Sequence, residues 1–191
     1  SYLATYIDRD VRQLISVRDF SLFRRFVRMC AARTGQLLNL SSLASDCGIS
    51  HNTAAAWISV LEASYLIYLL RPHHKNFNKR LVKTPKLYFC DVGLASYLLG
   101  IDSLQSMTFH AMRGHLFETM IITEVLKSFW NNGREANIFF WRDNKGLEVD
   151  LLIETGDSLT PIEIKSGATI AGDYLDSLHK WIGLSKNKKP A

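Results

Sequence analysis

The sequence has no run of about 18 apolar residues that could span a bilayer, and no signal peptide opens it. It therefore reads as a cytoplasmic protein with no membrane partner. The three cysteines, Cys30, Cys47 and Cys90, are odd in number and lack C-x-x-C spacing. That argues against a disulfide framework and a zinc ribbon, and it suits a reducing compartment. The histidines form no H-E-x-x-H or similar ligand spacing, and His73-His74 reads as an exposed loop pair. No G-x-x-x-x-G-K-[ST] occurs, so the chain cannot bind nucleotide through a P-loop. Acids are missing altogether from His73 to Lys86, where Lys75, Lys79, Arg80, Lys83 and Lys86 accumulate.

What is present suffices for packed cores. At 191 residues and 47% hydrophobic content, the chain can form one large domain or two small ones. A net charge of +5 and a pI near 9.2 lean toward a nucleic-acid partner. Residues from about 11 to 33 read as a helix whose Arg24, Arg25, Arg28 and Arg33 form a solvated basic face, with a break at Thr34-Gly35. A short helix opens at Leu40 and ends at Cys47-Gly48, where glycine suits the left-handed turn between helices. Ser50 caps the next helix, from His51 to about Ala63, with Ala54, Trp57, Ile58 and Leu61 at helical spacing.

Helix, glycine turn and capped helix form a helix-turn-helix pattern. The strand-like Tyr65–Leu70, the basic segment and the strand-like Lys86–Cys90 then complete a winged helix, with Arg71–Lys86 as the wing. On this reading His51, Asn52, Lys75, Lys79, Arg80 and Lys83 face nucleic acid, most simply DNA. Winged helices also serve as protein-docking modules, so a purely architectural role stays open.

The second half turns on acids. A helix from about His115 to Trp130 places Glu118, Ile121, Ile122, Val125 and Phe129 on one stripe, so one carboxylate shares the apolar face. Burying a charge unpaired costs several kcal/mol, so Glu118 needs a lysine, another cation or a metal beside it. A strand at Ile138–Trp141 turns at Asn144-Lys145-Gly146 into Glu148-Val149-Asp150-Leu151-Leu152-Ile153. The next strand, Pro161-Ile162-Glu163-Ile164-Lys165, sets Glu163 and Lys165 on one face by alternation. A helix from about Ala171 to Trp181 follows. Asp150, Glu163 and Glu118 could hold Mg²⁺ or Mn²⁺ as hard oxygen ligands, with Lys165 steadying charge at a phosphodiester. The same strands would also form if their charged faces were simply solvated.

These residues carry a resemblance. Gly114 and Glu118 on their helix, the hairpin from Trp141-Arg142-Asp143 to Asp150, and Pro161-Ile162-Glu163-Ile164-Lys165-Ser166-Gly167 resemble the PD-(D/E)XK nuclease superfamily. Nearly the whole chain resembles the uncharacterised C-terminal domain of a family of prokaryotic AAA+ ATPases. Tyr6-Ile7-Asp8-Arg9-Asp10-Val11 resembles the junction where that domain begins, and Tyr88-Phe89-Cys90-Asp91-Val92-Gly93-Leu94 its internal link.

The resemblance implies an α/β (α+β) chain in three parts. Residues 1–20 would be a linker from an upstream ATPase domain, 21–99 a winged helix, and 100–191 a restriction-endonuclease-like domain. Glu118, Asp150, Glu163 and Lys165 would match its active-site positions. ATP would enter only through the upstream AAA+ domain of the same polypeptide. Because the chain stops soon after the helix that follows the active-site strand, a closing strand of the core is expected to be missing. The competing expectation is a catalytically silent module that grips DNA or a partner and keeps the acids and lysine as an ion network.

Overall fold

A computed structural model of the chain describes residues 20–73, 81–167, 172 and 174–186. Among them are seven helices and two three-stranded antiparallel sheets, a mixed α/β arrangement. Helices α1 (Phe20–Ala31), α2 (Leu40–Cys47) and α3 (His51–Ala63) pack around a common core. Phe23 and Phe26 each set a ring edge-on to Trp57, at 5.1 and 5.2 Å. The ends of these helices follow the sequence closely. Asn39 caps α2 by accepting from Ser42 N–H, Gly48 ends it at φ 70°, and Ser50 caps α3 by accepting from Thr53 N–H. Arg24, Arg25 and Arg28 are exposed as expected, although Arg25 donates to the Asp46 carbonyl and Arg33 pairs with its carboxylate.

The first sheet has the order β1–β3–β2, formed by β1 (Gln36–Leu37), β2 (Ile67–Leu70) and β3 (Lys86–Phe89). β2 and β3 pair antiparallel from Ile67 opposite Phe89 to Leu70 opposite Lys86, the pairing expected of those two segments. Tyr65 does not join the strand. It takes the left-handed position after α3, at φ 55°, where glycine is usual. Helices α4 (Val92–Leu98) and α5 (Leu104–Phe109) then lead to the long α6 (Arg113–Asn131).

The second sheet is β4–β5–β6, from β4 (Ile138–Arg142), β5 (Glu148–Thr155) and β6 (Ser158–Ile162). Helix α7 (Asp176–Lys186) lies five residues later than the sequence pattern placed it, and it covers one face of this sheet through Trp181 against Trp141, Val149 and Leu152. The other face shares a core with the first sheet, in which Leu70 and Tyr88 pack with Ile122 and Leu126 of α6 and with Phe140 and Leu151. α6 thus has apolar contacts on two sides, and its fully buried residues include Thr119 and Thr123 besides the expected Ile122. Thr119 shares a buried 2.9 Å hydroxyl contact with Thr34.

The segment expected to stand out as a wing is tied down at both described ends. Pro72 bridges Phe140 in parallel, with His73 N–H donating to the Phe140 carbonyl at 2.7 Å. On the return, Leu81 bridges Asp143 and Val82 N–H donates to the Arg142 carbonyl. Pairing with β4 also buries His73, edge-on to Phe139, which corrects the expectation of an exposed pair. Lys75, Lys79, Arg80 and His74 lie outside the described residues.

Candidate active site and its ion network

A β-bulge builds one side of the site. Phe139 pairs with Leu152 and Trp141 with Val149, so Phe140 faces two residues, Asp150 and Leu151. The extra residue breaks strict alternation and puts Asp150 on the same side as Leu151, while Val149 and Leu152 turn to the α7 side. Glu148 and Asp150 therefore both face α6 and the first sheet.

From α6, the Glu118 side chain is 13% exposed and turned inward. Its partner is Lys86, whose Nζ lies 2.9 Å from Glu118 Oε1. Lys86 also binds Glu148 Oε1, and its side chain is only 4% exposed. The Tyr88 hydroxyl, two residues along β3 and so on the same face, donates to the same Glu118 oxygen at 2.5 Å. Arg142 Nη1 holds Glu148 Oε2 at 3.0 Å. Burial alone would pull the Lys86 ammonium down, but Glu118 and Glu148 outweigh it and hold it above the ordinary lysine range. Tyr88 is pushed well up by burial and by Glu118.

The strand expected at residues 161–165 ends at Ile162. Beyond it, Ile164 N–H leaves the ladder and donates to Asp150 Oδ2 at 2.8 Å. The side chain of Asp150 thus replaces a backbone acceptor, and Glu163 and Lys165 lie on irregular backbone rather than on a strand. The two still meet, because Lys165 Nζ pairs with Glu163 Oε1. The Glu163 side chain is 8% exposed and its Oε2 is buried without a hydrogen-bond partner among the described residues, whereas that of Lys165 is 43% exposed. Burial, followed by Glu118 and Glu163, pushes Asp150 up to about 7, against the opposing pull of Ile164 N–H and Lys86. Asp150 and Lys165 are therefore each in electrostatic reach of Glu118 and Glu163, and of one another.

Among the described residues no three His, Cys, Asp or Glu side chains are placed to hold a metal together. The donor set still fits a smaller demand. Mg²⁺ is commonly held by one or two carboxylates, with water and substrate phosphate completing its shell. Asp150 and Glu163 Oε2, which has no hydrogen-bond partner among the described residues, offer such a pair, and a cation would offset the burial and repulsion that raise Asp150.

A cleft of about 460 Å³ opens beside the network, lined by Lys86, Glu118, Arg142 and Glu148 together with Gly35 and His115 among others. Gly35, at φ 75°, donates to the Leu87 carbonyl, and a Cβ on it would stand 3.0 Å from His115 Nδ1. Gly35→Ala is therefore expected to cost about 1–2 kcal/mol in urea unfolding, chiefly from the left-handed backbone. An unchanged midpoint would contradict that backbone cost.

Of the residues expected to meet nucleic acid, His51 and Asn52 are exposed at the start of α3, and Lys83 is exposed on the return toward β3. Lys86, one of the basic run, is instead the buried centre of the acid network. α3 carries no lysine or arginine. The sequence reading assigned no role to Glu148, Tyr88 or Arg142. Glu148 could have been found from its i, i+2 relation to Asp150; Tyr88 and Arg142 depend on contacts distant in sequence.

Residues 1–105 match the family described as "Domain of unknown function (DUF8612)", and the chain belongs to that family. Residues 113–190 match a second, "Domain of unknown function (DUF4143)". The chain is also similar to two proteins described as uncharacterized, Rv2008c of Mycobacterium tuberculosis and Mb2031c of Mycobacterium bovis. Each is 28% identical over 168 residues, covering 88% of this chain. The chain spans 37% of the length of these relatives. No solved structure matches. No helix among the described residues is long and apolar enough to cross a membrane.

Proposed function

We propose that the chain is the effector part of a AAA+ ATPase, a winged helix joined to an endonuclease-like α/β core that cuts phosphodiesters with Mg²⁺ or Mn²⁺. The observation that carries this reading is the neighbouring carboxylates of Asp150 and Glu163, where Glu163 Oε2 is buried without a hydrogen-bond partner among the described residues, beside the half-exposed Lys165. Asp150 and Glu163 would hold the cation, and the cation would supply charge neutralisation at the scissile phosphate. Lys165 would stabilise charge developing on phosphorus or on the attacking oxygen. Glu118, held by Lys86 and Tyr88, shapes the field around Asp150. The ATPase half of the proposal is supported by the association of the second matched family with AAA-ATPase contexts.

The test is incubation with Mn²⁺ and end-labelled duplex DNA, single-stranded DNA and RNA. Cleavage of at least one substrate by the wild type, and of none by Lys165→Ala, is expected. One observation favours a second reading, a silent binding module: Lys86 already satisfies Glu118 and Glu148 internally. Cleavage of no substrate, or undiminished cleavage by Lys165→Ala, would move the account to that reading.

Nucleic-acid contact is proposed to be non-specific and to run through the basic segment, since α3 offers only His51 and Asn52. Replacing Lys79, Arg80 and Lys83 together by Ala should flatten the slope of log affinity against log salt by about 2.7 units. An unchanged slope would take the segment out of the interface.

A further inference from the structure

We propose that the Lys86 ammonium is a built-in cation that limits the carboxylate cluster to a single divalent ion, and that its removal opens a second cation site between Glu118 and Glu148. The proposal rests on reading Asp150 and Glu163 as the site of the first ion. Lys86 arrives from the central strand of the first sheet, whereas the acids belong to α6 and β5. Its Nζ lies 2.9 Å from Glu118 Oε1 and also binds Glu148 Oε1, so it occupies the position a bridging cation would take.

The surroundings hold both acids in place without it. Tyr88 donates to Glu118 Oε1, and Arg142 holds Glu148 Oε2. With the ammonium gone, Glu118 Oε1 would keep only the tyrosine and Glu148 Oε1 would lose its ion partner. Two carboxylates facing each other in a buried place demand a counter-charge. Because Lys86, Glu118 and Glu148 all line the cleft of about 460 Å³, a hydrated ion has a way in. Oxygen ligands on two elements, with room for water, suit a hard divalent ion such as Mg²⁺ or Mn²⁺.

The experiment counts bound Mn²⁺ by the loss of the free-ion paramagnetic resonance signal on adding protein. The wild type is expected to bind one ion, Lys86→Ala two, Lys86→Arg one, and Lys86→Ala/Glu148→Gln one. A merely structural lysine would not change the count. With one ion in the wild type, one ion in Lys86→Ala, or a second that survives Glu148→Gln, overturns the proposal. If the wild type binds none, the reading of Asp150 and Glu163 fails. The single-ion limit fails with it, and only the cation site between Glu118 and Glu148 would survive, provided Lys86→Ala binds one ion that Glu148→Gln removes. Should Lys86→Ala fail to fold without metal, its melting temperature in Mn²⁺ decides. A larger Mn²⁺-induced rise than in the wild type supports the proposal, and an equal rise or continued failure to fold overturns it.

Discussion

Asp150→Asn is expected to make the protein more stable at pH 8 than the wild type while abolishing divalent-cation binding. Asp150 is raised from 3.8 to about 7 by burial and by Glu118 and Glu163. For an acid raised on folding, the native state keeps a proton that the unfolded chain has already released. Stability therefore falls as pH rises from about 4 to about 7 and levels off above that window. An amide has no proton to lose, keeps the shape, and can still accept from Ile164 N–H. The variant should gain on the order of 2–4 kcal/mol over the wild type at pH 8 and almost nothing at pH 4. Urea unfolding at the two values checks this. Equal stability at pH 8 would mean that Asp150 is not under electrostatic pressure and that the site does not call for a cation.

Lys86→Met should do the opposite. The methionine fills the space of the lysine stem but leaves Glu118 and Glu148 facing each other with only Tyr88 and Arg142 as partners. Breaking a buried ion network by removing its cation costs about 3–5 kcal/mol, a large part of the stability of a typical domain. The added replacement Glu118→Gln should recover part of the loss, because it removes one of the two stranded charges. If Lys86→Met unfolds at the wild-type urea midpoint, the ammonium is not the counter-charge that holds the two sheets to α6.

The helices and strand pairing among the described residues of the first hundred were largely legible because the decisive signals are local. Asn39 and Ser50 cap helices, Gly48 fills a left-handed turn, and the apolar runs at residues 67–70 and 86–89 pair as strands. The inward turn of Glu118 was also legible, since a carboxylate within an apolar helical stripe has to find a cation. Which cation was not. Lys86 sits in a basic run and looks like its neighbours; only its place in a central strand, next to Leu87 and Tyr88, sets it apart. His73 was misread for a similar reason, because the β4 edge that covers it lies more than sixty residues away.

The site was visible as residue types and less so as geometry. Alternation through Glu148–Ile153 fails at the bulge, which depends on how β4 pairs and leaves no mark in the strand's own sequence. Alternation also extended β6 through Lys165. The strand in fact ends at Ile162, because the Asp150 side chain captures Ile164 N–H. Glu163 and Lys165 nonetheless meet, paired to each other and acting on Asp150.

Calorimetric titration of Mn²⁺ into the wild type and Asp150→Asn tests the central claim most directly. The account predicts saturable binding of one ion at millimolar or lower Mn²⁺ by the wild type and none by the folded variant. Absence of binding by the wild type, or equal binding by both, would contradict it.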